Sequence, residues 1–189
     1  VRAAAAANKT QHVVAFSIYG ASLILLYAAS AAYHLLPVAE PLRLLLRRID
    51  HMMIYVLIAG TYTPVCMIAL PGAWGTAMLV SIWLLAVAGM LFSAFWLDAP
   101  RWLSTSLYLL MGWLAVVGIV PLVQALNLEG LLWLFGGGVM YTGGAVMYGL
   151  KKPNPFPGTF GFHEIWHVCV LAGSFSHFMM MLRGILPMT

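Results

Sequence analysis

The segment FHEIWH, residues 162 to 167, carries two histidines four positions apart with a glutamate directly after the first. On a helix, residues i and i+4 project from the same face, so His163 and His167 can share one metal ion. The same pattern marks zinc metalloproteases, in which the glutamate acts as general base. A single histidine in an apolar helix is more often a satisfied core residue. The pair at this spacing favours a metal site.

A metalloprotease-type site needs a third protein ligand, commonly an acid or histidine downstream, with a fourth position kept for water. Residues 168–189 hold no acid, and their one histidine, His177, stands fourteen residues after His163, about 21 Å along a helix. His177 cannot close such a site. Glu164 lies about 100° around the helix from His163, away from the face the two histidines share. The partners of the pair must therefore come from upstream.

Composition defines the elements that supply them. Of 189 residues, 63% are hydrophobic and 7% charged, against roughly 25% charged in a soluble domain. This is the composition of a multi-spanning membrane protein. Runs long enough to cross a bilayer, about 20 residues each, are bracketed by the charges and by Pro/Gly punctuation. There are six of them: 12–36, 51–70, 75–97, 102–125, 130–150 and 162–185. They are expected to be helices, because hydrocarbon offers exposed backbone groups no partner; the alternating segments of a membrane barrel are absent. The fold class is thus all-α, integral to the membrane.

The connections PGAW, DAPR and NLEG barely cover a turn, which makes successive helices antiparallel neighbours in a single bundle over residues 1–189. Two longer loops are expected, PVAEPLRLLLRR after the first helix and KKPNPFPGTF before the last. Arg43, Arg47, Arg48, Arg101, Lys151 and Lys152 fall on one side of the membrane, and Arg2, Lys9 and Arg183 on the other. The bias of basic residues makes the first side cytoplasmic, with both chain ends outside. The chain opens at Val1, and its first apolar run is too long for a signal-peptide core. An earlier helix, bringing the N-terminus inside, is expected.

By parity the sixth helix begins on the cytoplasmic side, where the first helix ends and the second begins. His34, in SAAYHLL, and Asp50, in RRIDHMM, stand there. His34, His163 and His167 with Asp50 form a candidate zinc site with an open position, since imidazole suits zinc better than magnesium or calcium. Spacing supports equally well a second role for Asp50, as the acid that caps the N-terminus of its helix.

The remaining polar residues are read structurally. His12 falls at the outer interface, His51 faces about 100° away from Asp50, and His177 needs a buried hydrogen-bond partner. Glu40, Asp98 and Glu129 fall in loops. Cys66 and Cys169 lack metal spacing and read as buried thiols. Pro64 in GTYTP is expected to kink its helix, with Thr61 or Thr63 re-satisfying the freed backbone. Gly136, Gly137, Gly138, Gly143 and Gly144 indicate close helix packing, and Trp74, Trp96 and Trp102 an interfacial belt. The net charge of +4 reflects loops facing anionic headgroups; it does not argue for nucleic acid.

Taken in order, SxxxH at Ser30–His34, the acid Asp50, AGTYTP at 59–64 and HxxxH at His163–His167 followed by LAGSFSHF resemble the hemolysin III branch of the progestin and adipoQ receptor family, across essentially the whole chain. The resemblance implies a seven-helix bundle with a cytoplasmic N-terminus, six of whose helices are visible, and an intramembrane zinc ion in the cytoplasmic leaflet. It implies zinc ligation by His34, His163 and His167. Asp50 matches the acid that holds the zinc-bound water, and Ser30 the serine of the same motif. Through the related receptors and, distantly, the alkaline ceramidases, it implies zinc-dependent hydrolysis of a lipid amide or ester in the plasma (inner) membrane, with membrane lipids as partners and a lipid as substrate. Two other readings remain: a receptor-like or regulatory protein with structural zinc, and a cytolytic pore. No polar path runs through the helices, so the pore ranks last.

Overall fold

The computed structural model describes residue 1, residues 9–70 and residues 72–188. Arg2 with the alanine run that follows it, Pro71 of the PGAW connection and Thr189 lie outside the described residues.

Among the described residues six helices are long and apolar enough to cross a bilayer: α1 (Thr10–Leu35), α2 (Glu40–Ala69), α3 (Ala73–Phe95), α4 (Arg101–Ala125), α5 (Leu128–Leu150) and α6 (Phe162–Ile185). No strand is present among them. A lone antiparallel bridge joins Phe156 to Phe160 in the connection between α5 and α6. Every helix but one begins and ends within two residues of the hydrophobic run that predicts it.

The exception is α2, which begins at Glu40 rather than at residue 51. Most of the expected loop PVAEPLRLLLRR is therefore helix. Pro41 occupies the first turn, where its missing N–H is one the helix could not have bonded anyway, and Glu40 complements the positive end of the helix. Arg43, Arg47 and Arg48 mark where an apolar run begins, but charges do not end a helix. Asp50 consequently lies ten residues inside α2 and cannot cap its N-terminus. Glu40 and Glu129 likewise sit in first helical turns and not in loops. Asp98 does lie in a turn, where it pairs with Arg47 at 3.2 Å.

The described chain divides into two compact units, Val1–Ala99 and Pro100–Thr189. In the first unit α1 packs on α2, and α2 on α3. Gly60 of α2 meets Ser22 of α1, and Gly89 of α3 meets the fully buried ring of Tyr55 on α2. Trp83 of α3 donates its indole N–H to Thr63 Oγ1 at 3.1 Å. After Pro64, the last α-helical residue, α2 passes into π register over Val65–Ala69. The disturbance expected at Pro64 is thus a change of register, the form such insertions commonly take in helices. Thr61 and Thr63 donate to the carbonyls of Leu57 at 2.8 Å and Ala59 at 2.9 Å, and not to that of Gly60, which Pro64 leaves without its usual donor. Buried His12, in the first turn of α1, sets its ring edge-on to Phe16.

In the second unit α4 packs on α5, and α5 on α6. A 3₁₀ segment, Leu114–Gly118, interrupts α4, just before Pro121, which lacks the N–H that would bond the carbonyl of Val117. Three of the crowded α5 glycines make the close approach to α6, and a Cβ at Gly136 would stand 3.2 Å from Ser176 Oγ. Gly137 lies against the His177 ring, and a Cβ at Gly144 would come within 2.6 Å of Cys169 Cβ. Gly138 and Gly143 have nothing within 4 Å, so the close approach uses one face only. His177 satisfies its Nε2 at the Leu134 carbonyl, 3.3 Å away, beside the Tyr141 ring. Its structural reading holds. Tyr141 in turn shares a 2.7 Å hydrogen bond with Ser174. Both cysteines are free thiols, Cys66 buried and Cys169 half-buried.

Candidate metal centre

The N-terminus of α6 organises its histidines. Helix starts leave their first N–H groups without intrahelical acceptors, and here the carboxylate of Glu164 reaches back to accept the Gly161 N–H at 2.8 Å. This is the glutamate half of a capping box. The role of Glu164 was missed in the sequence, although an acid in the first turn of a helix is a recognised signal for it. Its task is local: it closes the helix end and stays exposed, off the face of the two histidines.

On that face His163 and His167 bring their Nε2 atoms to 3.1 Å, with ring centroids 4.8 Å apart. Two nitrogens bound at 2.0–2.1 Å by one tetrahedral zinc ion lie about 3.3 Å apart. The pair therefore fits a shared zinc ion with little adjustment. Tyr148, from the last turns of α5, packs its ring 5.8 Å from His163 and 5.4 Å from Trp166, which fixes the first turns of α6 against α5.

The first unit contributes a second group. Ser30 and His34 stand one turn apart near the end of α1, and Asp50 comes to them from α2. The Ser30 hydroxyl hydrogen-bonds the Asp50 carboxyl group, and His34 is within electrostatic reach of it. Asp50 is buried, at 8% exposure, and a buried carboxylate needs such partners. The short link Leu36–Ala39 makes the meeting possible. Four residues advance the chain by at most about 14 Å, and the ten helical residues from Glu40 to Asp50 retrace about 15 Å. Asp50 thereby returns to the level of Ser30 and His34. The Tyr33 ring packs at a tilt beside that of His34, with centroids 4.6 Å apart.

Three of the described histidines, His34 in the first unit and His163 and His167 in the second, each offer a ring nitrogen as a metal ligand. An imidazole set suits zinc, copper, iron or nickel and is a poor match for magnesium or calcium.

Six bilayer-length helices that carry histidines and a buried acid within their spans define an integral multi-pass membrane protein. The Haemolysin-III related family model matches residues 1–178. The chain is 42% identical over 177 residues to Hemolysin-3 of Bacillus cereus, covering 93% of this chain and 77% of that protein. It is 42% identical over 166 residues to the Hemolysin-3 homolog of Bacillus subtilis (strain 168), covering 88% and 75%. Against the human Monocyte to macrophage differentiation factor, identity is 27% over 168 residues, covering 85% and 66%. No solved structure matches. The chain belongs to the haemolysin III family.

Proposed function

We propose that this protein is a zinc-dependent hydrolase of a lipid amide or ester in the plasma (inner) membrane. His34, His163 and His167 would hold one zinc ion near the cytoplasmic side, within a single bundle of the family's seven-helix type. The observation that carries this reading is the 3.1 Å approach of the His163 and His167 Nε2 atoms, taken with a carboxyl group oriented by Ser30 beside His34. Three imidazoles with an open fourth position make a catalytic rather than a closed structural donor set.

A zinc ion held there would supply Lewis-acid polarisation of an acyl carbonyl and would lower the pKa of a water to about 7. The chain's own residues do the rest. Asp50 accepts the proton of the attacking water and returns it to the departing amine or alcohol, the general acid–base role. Ser30 holds the Asp50 carboxyl group in one orientation while that proton moves. Tyr148 keeps the helix start that carries His163 in place. A lipid reaches the residues sideways from the leaflet, and the apolar faces of the helices hold its chains.

Metal analysis of the purified protein beside His34→Ala and His163→Ala, followed by turnover of an acyl-lipid panel at matched zinc occupancy, tests the proposal. One zinc per wild-type chain, loss of zinc in both variants and hydrolysis of a lipid amide or ester are expected. Full zinc occupancy with no turnover of any such lipid would overturn it.

One observation favours a second reading, a receptor-like or regulatory protein with structural zinc: the 27% identity to a relative named for macrophage differentiation. In that case His34→Ala abolishes zinc binding and folding together, while Asp50→Asn leaves every phenotype intact.

A further inference from the structure

At one end of the second unit three helices meet around Arg101. It is the first residue of α4, and its guanidinium lies 5.3 Å from the centroid of the Tyr148 ring on α5 and 5.5 Å from that of the Phe162 ring on α6. Tyr148 packs on Phe162 at 6.0 Å, so the two rings that flank the guanidinium also hold each other. Cation–π contact attracts the guanidinium to the ring faces without using its N–H groups as hydrogen-bond donors to a carboxylate. Among the described residues no carboxylate pairs with Arg101, the ion pairs being Arg47–Asp98 and Arg183–Glu129. Exposed Arg101 is thus a cation held beside two rings, with no ion-pair partner among the described residues.

Two further cations belong to the same end. Lys151 and Lys152 follow α5 directly, and both are exposed. The backbone N–H of Lys151 bonds the Tyr148 carbonyl at 3.4 Å, which ties Lys151 to the turn that carries the ring under Arg101. Two acids stand near this cluster and both are engaged: Asp98, three residues before Arg101, pairs with Arg47 at 3.2 Å, and Glu164 accepts the Gly161 N–H at 2.8 Å. Positive charge is in excess there. Trp102, beside Arg101 and 66% exposed, is the residue type that settles at the depth of lipid headgroups.

We propose that Arg101, with Lys151 and Lys152, binds the phosphate of one anionic lipid headgroup. A planar fork matches two phosphate oxygens, and lysines add charge without fixed geometry. All three residues stand at the ends of helices long enough to cross a bilayer, where headgroup phosphates lie. The same cluster repels the cationic end of a zwitterionic headgroup. Phosphatidylglycerol is therefore held in preference to phosphatidylcholine, independently of any metal.

Native mass spectrometry of the full chain, transferred from mixed micelles of each lipid, reads the outcome directly. Wild type is expected to retain one phosphatidylglycerol and to retain phosphatidylcholine several-fold less. Arg101→Gln should weaken retention about fivefold, the factor that about 1 kcal/mol per basic residue at a charged membrane surface sets. Arg101→Lys, which keeps the charge and loses the fork, should fall between the two. Lys151→Gln with Lys152→Gln tests the same cluster at exposed positions without packing contacts, should Arg101→Gln fail to fold. Equal retention of the two lipids by wild type, or unchanged retention in the folded variants, overturns the proposal. So does displacement of the lipid by millimolar inorganic phosphate, which would assign the cluster to a soluble anion.

Discussion

The carboxylate of Glu164 accepts the backbone N–H of Gly161 at 2.8 Å, and this contact separates the two halves of the FHEIWH pattern. The histidines face one way to meet each other; the acid between them closes the start of α6. In a metalloprotease the same acid would face the metal. In the proposed hydrolase the general-base role would pass to Asp50, which stands on α2 beside Ser30 and His34.

Exchanging one acid for its amide therefore has different consequences at the two positions. A glutamine at 164 still accepts the Gly161 N–H, so Glu164→Gln should keep zinc content and turnover close to wild type. Asp50→Asn should keep zinc and lose turnover by about 10²–10⁴, the range for removal of a positioned general base. Metal content and lipid hydrolysis measured on both variants check this. The reverse pattern would restore a metalloprotease-like mechanism.

In the proposed mechanism Ser30 would act on the same chemistry through Asp50. A hydrogen bond to a charged group contributes about 1.5–3 kcal/mol, so Ser30→Ala should lower turnover by roughly ten- to a hundredfold with zinc unchanged. Ser30→Thr, which keeps the hydroxyl, should recover part of that loss. A variant that loses zinc in proportion to activity would show that the serine supports the metal and not the acid.

The α5 glycines divide into two classes that a thermal melt in detergent can separate. A side chain at Gly137 meets the His177 ring, and one at Gly144 meets Cys169. Gly137→Val and Gly144→Val should each cost about 1–3 kcal/mol through overpacking. Gly138→Ala and Gly143→Ala add a methyl where nothing lies within 4 Å, and should be neutral or stabilising by up to about 1 kcal/mol from helix propensity. Equal losses at all four positions would rule out the one-sided packing described here.

Much of the fold was legible because its signals are local. Bilayer-length apolar runs predict α1 and α3 to α6 within two residues, since in lipid a hydrophobic run has no alternative to helix. The i, i+4 spacing of His163 and His167 likewise determines that they share a face, because helix geometry leaves no other arrangement.

What the tertiary structure decided was where each chemically capable residue spends its bonds. Charges at Arg43, Arg47 and Arg48 locate an apolar boundary but not a helix boundary, so the start of α2 and the depth of Asp50 came only from the fold. Ser30, twenty residues before Asp50 in sequence, finds it because a short link lets α2 retrace the length of α1, a relation between helices that no local pattern encodes. The five crowded glycines look alike in sequence, yet α6 selects Gly136, Gly137 and Gly144 by lying on one face of α5. Spacing within one helix follows from the covalent chain; partnership between helices follows from packing.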